Sequence, residues 1–168
     1  DQLAIASSKG EVAVFSGSDP SSTSTWSLRG IYYIGKPLGA NCLFKYGGDL
    51  LFLSENGLYP LSQAIQSASI ERTRSVTDKV RQVFNNAAQN YSGNEGWQVI
   101  AQPNLPLLMV NIPSTPQRQQ LVMHAQTGAW ATFTGLDAYC FARVGSQLYF
   151  ATSTTVMRIT GVNDNGAN

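Results

Sequence analysis

Apolar and polar positions alternate in short runs along most of this chain, the period of strands whose successive side chains point to opposite faces. The stretches 3–6, 12–15 and 26–34 fit this pattern, and so do 42–53 as a hairpin and 58–61 after it. Further along, Gly96-Trp97-Gln98-Val99-Ile100, Leu107 to Ile112 and Gln120 to His124 read as three more strands. A strand opened by Trp130 and three strands within 139–160 complete the series. The runs are divided by turns bearing Gly, Asn and Ser, and each fits the usual strand length.

The runs also repeat. Cys42-Leu43-Phe44-Lys45-Tyr46-Gly47-Gly48-Asp49-Leu50-Leu51-Phe52-Leu53 aligns without gaps with Cys140 to Ala151, 98 positions on, and the match extends through Leu58 to Leu61 against Val156 to Ile159. A third copy opens the chain, where Gln2 to Ile5 and Gly10 to Val14 match Asp49 to Phe52 and Gly57 to Leu61 at a shift of 47. A unit of about 49 residues lies near the spacing of propeller blades. On this count 97–134 is one complete four-stranded unit and 139–160 gives three strands of the next. The N-terminus enters at the second strand of a unit. Either the chain is cut from a longer propeller-like protein, or a neighbouring chain completes its sheets.

One segment departs from the β pattern. Val76, Val80, Val83, Phe84, Ala87, Ala88 and Tyr91 share one face of an α-helix, and Ser75 with Asp78 has the form of a capping box. The spacing predicts a helix over about 75–91, inserted between β units and closed by Ser92-Gly93-Asn94.

Composition narrows the function classes. Of 168 residues, 43% are apolar and only 12% charged, about half the usual charged share, with a net charge of +1. This excludes a disordered chain, and it leaves no global field to recruit nucleic acid or an anionic surface. No apolar run approaches the ~20 residues of a spanning helix. Cys42 and Cys140 cannot build a disulfide framework or, with a single histidine, an ordinary zinc site, and they read as two buried free thiols.

The search for catalytic chemistry returns little. Gly35-Lys36-Pro37-Leu38-Gly39 lacks phosphate-loop spacing and reads as a turn, and His124 lies in a predicted strand with no nucleophile elbow in the chain. The acids are scattered through turn contexts such as Asp19-Pro20 and Gly48-Asp49, and Asn163-Asp164-Asn165-Gly166 lacks the glutamate of a calcium loop. The loop 17–25 reads as a plain link between strands. The one local charge feature is basic: Arg72, Arg74, Lys79 and Arg81 gather at the predicted helix start and are the candidate contact residues for a partner surface. Trp26, Trp97 and Trp130 are the aromatic candidates for stacking on a sugar, although their positions at strand starts also suit a packing role.

Several of these segments together resemble a known group. Gly10 to Pro20, Tyr33-Ile34-Gly35-Lys36-Pro37-Leu38-Gly39, Gly47 to Leu51, Gly57-Leu58-Tyr59-Pro60-Leu61-Ser62 and the Gly128-Ala129-Trp130 turn are similar to tailed-phage and prophage virion proteins, over most of the chain. The group comprises short-tail tube, nozzle and packaged-DNA-stabilisation proteins, several with propeller-like β domains. The resemblance implies an oligomeric structural protein of the virion, assembled in the bacterial cytoplasm, with other tail proteins as partners and nucleic acid only as a channel contact. It supplies no catalytic residues. Proteins of this group are longer, in keeping with the start inside a unit. Their channels are commonly acidic, a feature this near-neutral chain lacks.

The expectation is therefore an all-β chain with one inserted α-helix: a β-propeller-like domain over 1–168, with roughly three and a half four-stranded units, cut from a longer protein. It is expected to be non-enzymatic, without cofactor or metal, and to act through protein–protein assembly, including self-association into a homo-oligomer. The alternative is a ligand-binding propeller that recognises carbohydrate at the host surface.

Overall fold

Strand follows strand in four small antiparallel sheets in the computed structural model, which describes residues 2–67, 74–102 and 104–160. The chain divides into two compact units, Asp1–Gly93 and Asn94–Asn168.

In the first unit, β1 (Gln2–Ala6), β2 (Glu11–Gly17) and β3 (Trp26–Tyr33) form one meander, and β4 (Leu43–Tyr46), β5 (Asp49–Ser54) and β6 (Gly57–Pro60) form another. Alternation decides the faces of the first meander: Val12 and Val14 are buried, while Ala13 and Phe15 point the other way. In the second meander Leu51, Phe52 and Leu53 are all buried, because β5 is covered on both faces, as its unbroken apolar run requires. Burial of each such side chain stabilises the fold by roughly 1.5–3 kcal/mol. Ile34 and Leu38, in the link between the sheets, are also buried, and Ile34 donates its N–H to Gly10 O at 2.9 Å.

Two helices pack on the second meander. The first, α1 (Leu61–Ser67), lies against β5 and β6 and was not expected from the sequence. Its start is tied to the β4–β5 turn, since the Asp49 carboxylate accepts from the N–H groups of Leu50 at 2.7 Å and Ser62 at 3.2 Å. The second, α2 (Arg81–Tyr91), is preceded by a 3-10 turn over Asp78–Val80 and contacts β6.

The helix thus begins later than the predicted 75–91. Residues 75–77 close the outer edge of β6 instead. Leu58 turns both main-chain groups outward: its carbonyl accepts from Val76 N–H at 2.7 Å and from Ser75 Oγ at 3.1 Å, and its N–H donates to Thr77 Oγ1 at 3.3 Å. Ser75 and Thr77 are buried there, and an unpaired ladder edge would cost more than a lost helical turn gains. Phe84, Ala87 and Ala88 form the buried face of α2, whereas Val83 is exposed.

In the second unit, β7 (Gln98–Ala101), β8 (Leu107–Ile112), β9 (Gln119–His124) and β10 (Trp130–Phe133) make a four-stranded sheet, and β11 (Cys140–Val144), β12 (Gln147–Ala151) and β13 (Val156–Arg158) a three-stranded one. Buried polar side chains tie the four-stranded sheet to the link that leads to the next. Asn111 Nδ2 donates to the carbonyls of Gly96 and Ala138 at 2.8 and 3.0 Å. Gln120 Nε2 donates to Asn111 Oδ1 at 2.9 Å and to Leu136 O at 3.0 Å.

The repeats seen in the sequence recur as structure. The meanders β4-β5-β6 and β11-β12-β13 share topology, and each opens its first turn on a left-handed glycine, Gly47 at φ 59° and Gly145 at φ 60°. The unit expected over 97–134 is the sheet β7–β10. The chain is mostly β, with four small antiparallel sheets and two α-helices among the described residues.

Candidate functional site

The basic residues singled out in the sequence do not form one cluster of free charge. Arg72 lies outside the described residues. Arg74 is exposed just before the strip that caps β6, and Lys79 is exposed on the 3-10 turn. Arg81 opens α2, and its Nη2 lies 2.6 Å from Asp78 Oδ1, so part of its charge is spent within the chain. The hydrogen bond to Asp78 and the nearby carboxylate charge raise the Arg81 pKa further.

The remaining candidates sit in structural roles. His124 ends β9, half-buried, and its Nδ1 accepts from Thr127 N–H at 3.4 Å across the β9–β10 turn. Asp19 braces the 17–25 loop by accepting from Ser21 N–H at 2.9 Å and Ser21 Oγ at 2.7 Å, bonds that lower its pKa. Among the described residues no three His, Cys, Asp or Glu side chains gather as a metal site would need; Asn163 to Gly166 lie outside them. Trp97, only 2% exposed, is a core side chain, and Trp26 and Trp130 are half-buried. The two thiols differ, contrary to expectation: Cys42 is buried, Cys140 exposed. Its place at the first residue of β11, on the outward side of the strand, puts Cys140 in the open.

The surface that stands out is apolar, and it is in two parts. On the first meander, register places Leu3 beside Phe15 and Phe15 beside Leu28, then Ile5 beside Ala13 and Ala13 beside Ile31, with Tyr33 beside Glu11. These side chains share the face opposite Val12 and Val14. Leu3, Ile5 and Leu28 are about half exposed, Ile31 is 62% exposed and Tyr33 60%. Three strands about 4.8 Å apart and about eight residues long give this face an area of roughly 350 Å². The largest apolar patch of a folded protein is commonly of this order and is often functional.

The second part is on the last meander. Cys140, Ala151 and Val156 lie side by side, as do Ala142, Tyr149 and Arg158, with Val144 at the end of β11. Val144 is 65% exposed and Val156 73%. On the opposite face Phe141, Leu148 and Phe150 are buried.

Sequence reading missed these faces for identifiable reasons. On β3 the register shifts at Val14/Phe15, so that Arg29 is an extra residue and Leu28 and Ile31, three apart, reach the same face. Simple alternation would assign them to opposite sides. On the last meander, Ala142, Ala151 and Cys140 are too small to declare an apolar stripe, and only the pairing with Val144, Tyr149 and Val156 assembles one.

No family model matches this chain, and no curated protein is significantly similar to it.

Proposed function

We propose that this chain is a non-enzymatic structural component of a phage or prophage tail, of the tube, nozzle or hub type, acting through protein–protein assembly, its sheets being blades of a propeller-like design. The observation that carries the assembly role is the pair of uncovered apolar sheet faces, one in each unit. Water does not favour two β-branched and aromatic faces left open, whereas a neighbouring protein surface does. The assignment to a tail rests on the resemblance of Gly10 to Pro20, Tyr33 to Gly39 and Gly57 to Ser62 to virion proteins. Other tail proteins are the partners, and Arg72, Arg74, Lys79 and Arg81 remain the candidate polar contacts for an acidic neighbour.

The test is immunogold labelling, with an antibody raised against this chain, of particles purified from the source bacterium after prophage induction. Label on the tails is the expected result. Particles that carry no label, together with protein that remains in the soluble lysate, would overturn the assignment.

A further inference from the structure

One strand lacks the neighbour that its counterparts have. On the unit count, β2, β6, β9 and β13 are each the third strand of a unit. Beside β2 lies β3, beside β9 lies β10, and the strip Ser75-Val76-Thr77 bonds to Leu58 on the outer edge of β6. On the outer side of β13 no strand pairs among the described residues. The comparison with β6 holds residue by residue. At the shift of 98, Val156 stands for Leu58, Met157 for Tyr59 and Arg158 for Pro60, and their partners on β12 and β5 correspond in turn.

The ladder decides which groups are open. Thr152 N–H donates to Thr155 O at 2.8 Å and Ile159 N–H to Leu148 O at 2.9 Å, so bonded pairs recur at every second residue and Met157 turns its main chain toward β12. Val156 and Arg158 turn theirs away, as Leu58 does in β6. Each aims an N–H and a C=O outward, with no hydrogen-bond partner among the described residues. The side chains give no shield, since Val156 is 73% exposed and Met157 50%. Pro60 removes one N–H from the β6 edge, whereas Arg158 keeps it.

From this we infer that the outer edge of β13 is a strand-acceptor site, which takes an extended segment of a partner protein as the fourth strand of its sheet. The inference deepens the assembly role proposed above and rests on it. Main-chain bonds hold a segment added in this way, and its side chains select it. The chain's own fourth strands give the chemistry of the occupant. β3 and β10 run antiparallel to their neighbours and both open on tryptophan, with Trp26 opposite Gly17 and Trp130 opposite Met123, at or next to the last residue of the third strand. The corresponding residue of β13 is Arg158, whose guanidinium suits the face of an indole. The partner segment is therefore extended, led by tryptophan, free of proline, and continued by small, hydroxyl and aromatic residues as in Trp130-Ala131-Thr132-Phe133. Residues 161–168 have a different character: six of the eight are Gly, Asn or Asp, which strands disfavour.

The probe is a fluorescent peptide with the sequence of residues 128–135, which spans β10. It is titrated against the full chain by anisotropy, from micromolar to millimolar, and amide hydrogen exchange of the chain is followed by NMR with and without it. The expected result is saturable binding, with the amide protons of Val156 and Arg158 exchanging fast in the chain alone and roughly tenfold more slowly, or slower still, with peptide bound. Arg158→Pro, which copies Pro60, should weaken binding by roughly tenfold, and Arg158→Ala, which keeps the N–H, by less. Thermal midpoints establish that both variants fold, and the exchange measurement needs neither. A peptide that fails to bind would overturn the inference, as would one that binds without slowing Val156 and Arg158. So would a folded Arg158→Pro variant that binds as tightly as the unaltered chain. Amides of Val156 and Arg158 that are already slow in the chain alone would also overturn it, because the chain's own residues would then close the edge. Labelled tails without peptide binding would remove the strand-acceptor site and leave the tail assignment standing; unlabelled tails with peptide binding would do the reverse.

Discussion

The side-chain amide of Gln98 and the main chain of Phe141 exchange two hydrogen bonds: Nε2 donates to Phe141 O at 2.9 Å, and Phe141 N–H donates to Oε1 at 2.8 Å. A carboxamide here does what a neighbouring strand would do, offering one donor and one acceptor at ladder spacing. It joins the first strand of one sheet to the first strand of the next, forty-three residues on.

Replacement of this residue tests the join. Gln98→Leu leaves Phe141 N–H and C=O without partners and should cost about 1–3 kcal/mol, a fall of roughly 5 °C in the thermal midpoint. Gln98→Glu keeps an acceptor for Phe141 N–H and sets a carboxylate oxygen against Phe141 O, so at neutral pH it should destabilise at least as much. A midpoint unchanged in both variants would show that the pair contributes nothing net.

Gly57 has no room for a side chain. Its φ is 140°, and a Cβ there would overlap Ser75 Oγ and lie 2.8 Å from Thr77 Oγ1. Gly57→Ala should therefore lower stability by about 2 kcal/mol or more in denaturant titration. Adding Ser75→Ala should recover only part of the loss, because the backbone strain stays.

The thiols should titrate separately with an aromatic disulfide reagent. Cys140, exposed at the start of β11, should react within the first phase. Cys42 is buried, and burial pushes its thiol above the usual value of 9.0, so it should react only as the chain unfolds. Two fast thiols in the native state would contradict the placement of Cys42.

Alkaline pH should weaken the fold through Cys42 and Tyr59. Burial raises the Tyr59 phenol above its usual 10.0, with the Asp78 carboxylate adding to the effect and Arg81 opposing it. A raised folded-state pKa means that the unfolded chain ionises first: stability from these groups is whole below about pH 9, then falls as pH rises past their unfolded values. The limiting slope is about 1.4 kcal/mol per pH unit for each group. Tyr59→Phe should give a lower plateau, since the bond from its hydroxyl to Asn56 O at 3.1 Å is lost, but a shallower decline above pH 10. An unchanged decline would remove Tyr59 as a cause.

Strand positions were legible because period-two alternation survives at Val12 and Val14 and because the repeat 42–53 against 140–151 carries its turn glycine with it. The hairpin β1–β2 differs from its counterpart β5–β6 by a longer loop at Ser7 to Gly10, closed by Gly10 N–H to Ser7 O at 3.1 Å, a change that no shift of the sequence announces. The helix start was misread because Ser75 and Asp78 meet the form of a capping box, while the demand that outweighs it lies seventeen residues back, at Leu58. The basic cluster was visible as composition, but not the pairing of Arg81 with Asp78. The apolar faces needed cross-strand register, above all the extra residue Arg29, and register is a tertiary property that local pattern leaves open.

The strip Ser75-Val76-Thr77 has an effect on how this sheet tolerates change. Because the chain returns to Leu58 after leaving β6, everything between is a detour with both ends fixed at the same strand. Lengthening such a detour is entropically cheap, about 0.6 kcal/mol for each doubling. The detour is thus a natural point for grafting a foreign peptide, since the bonds that fix Leu58 do not depend on how far the chain travels before coming back.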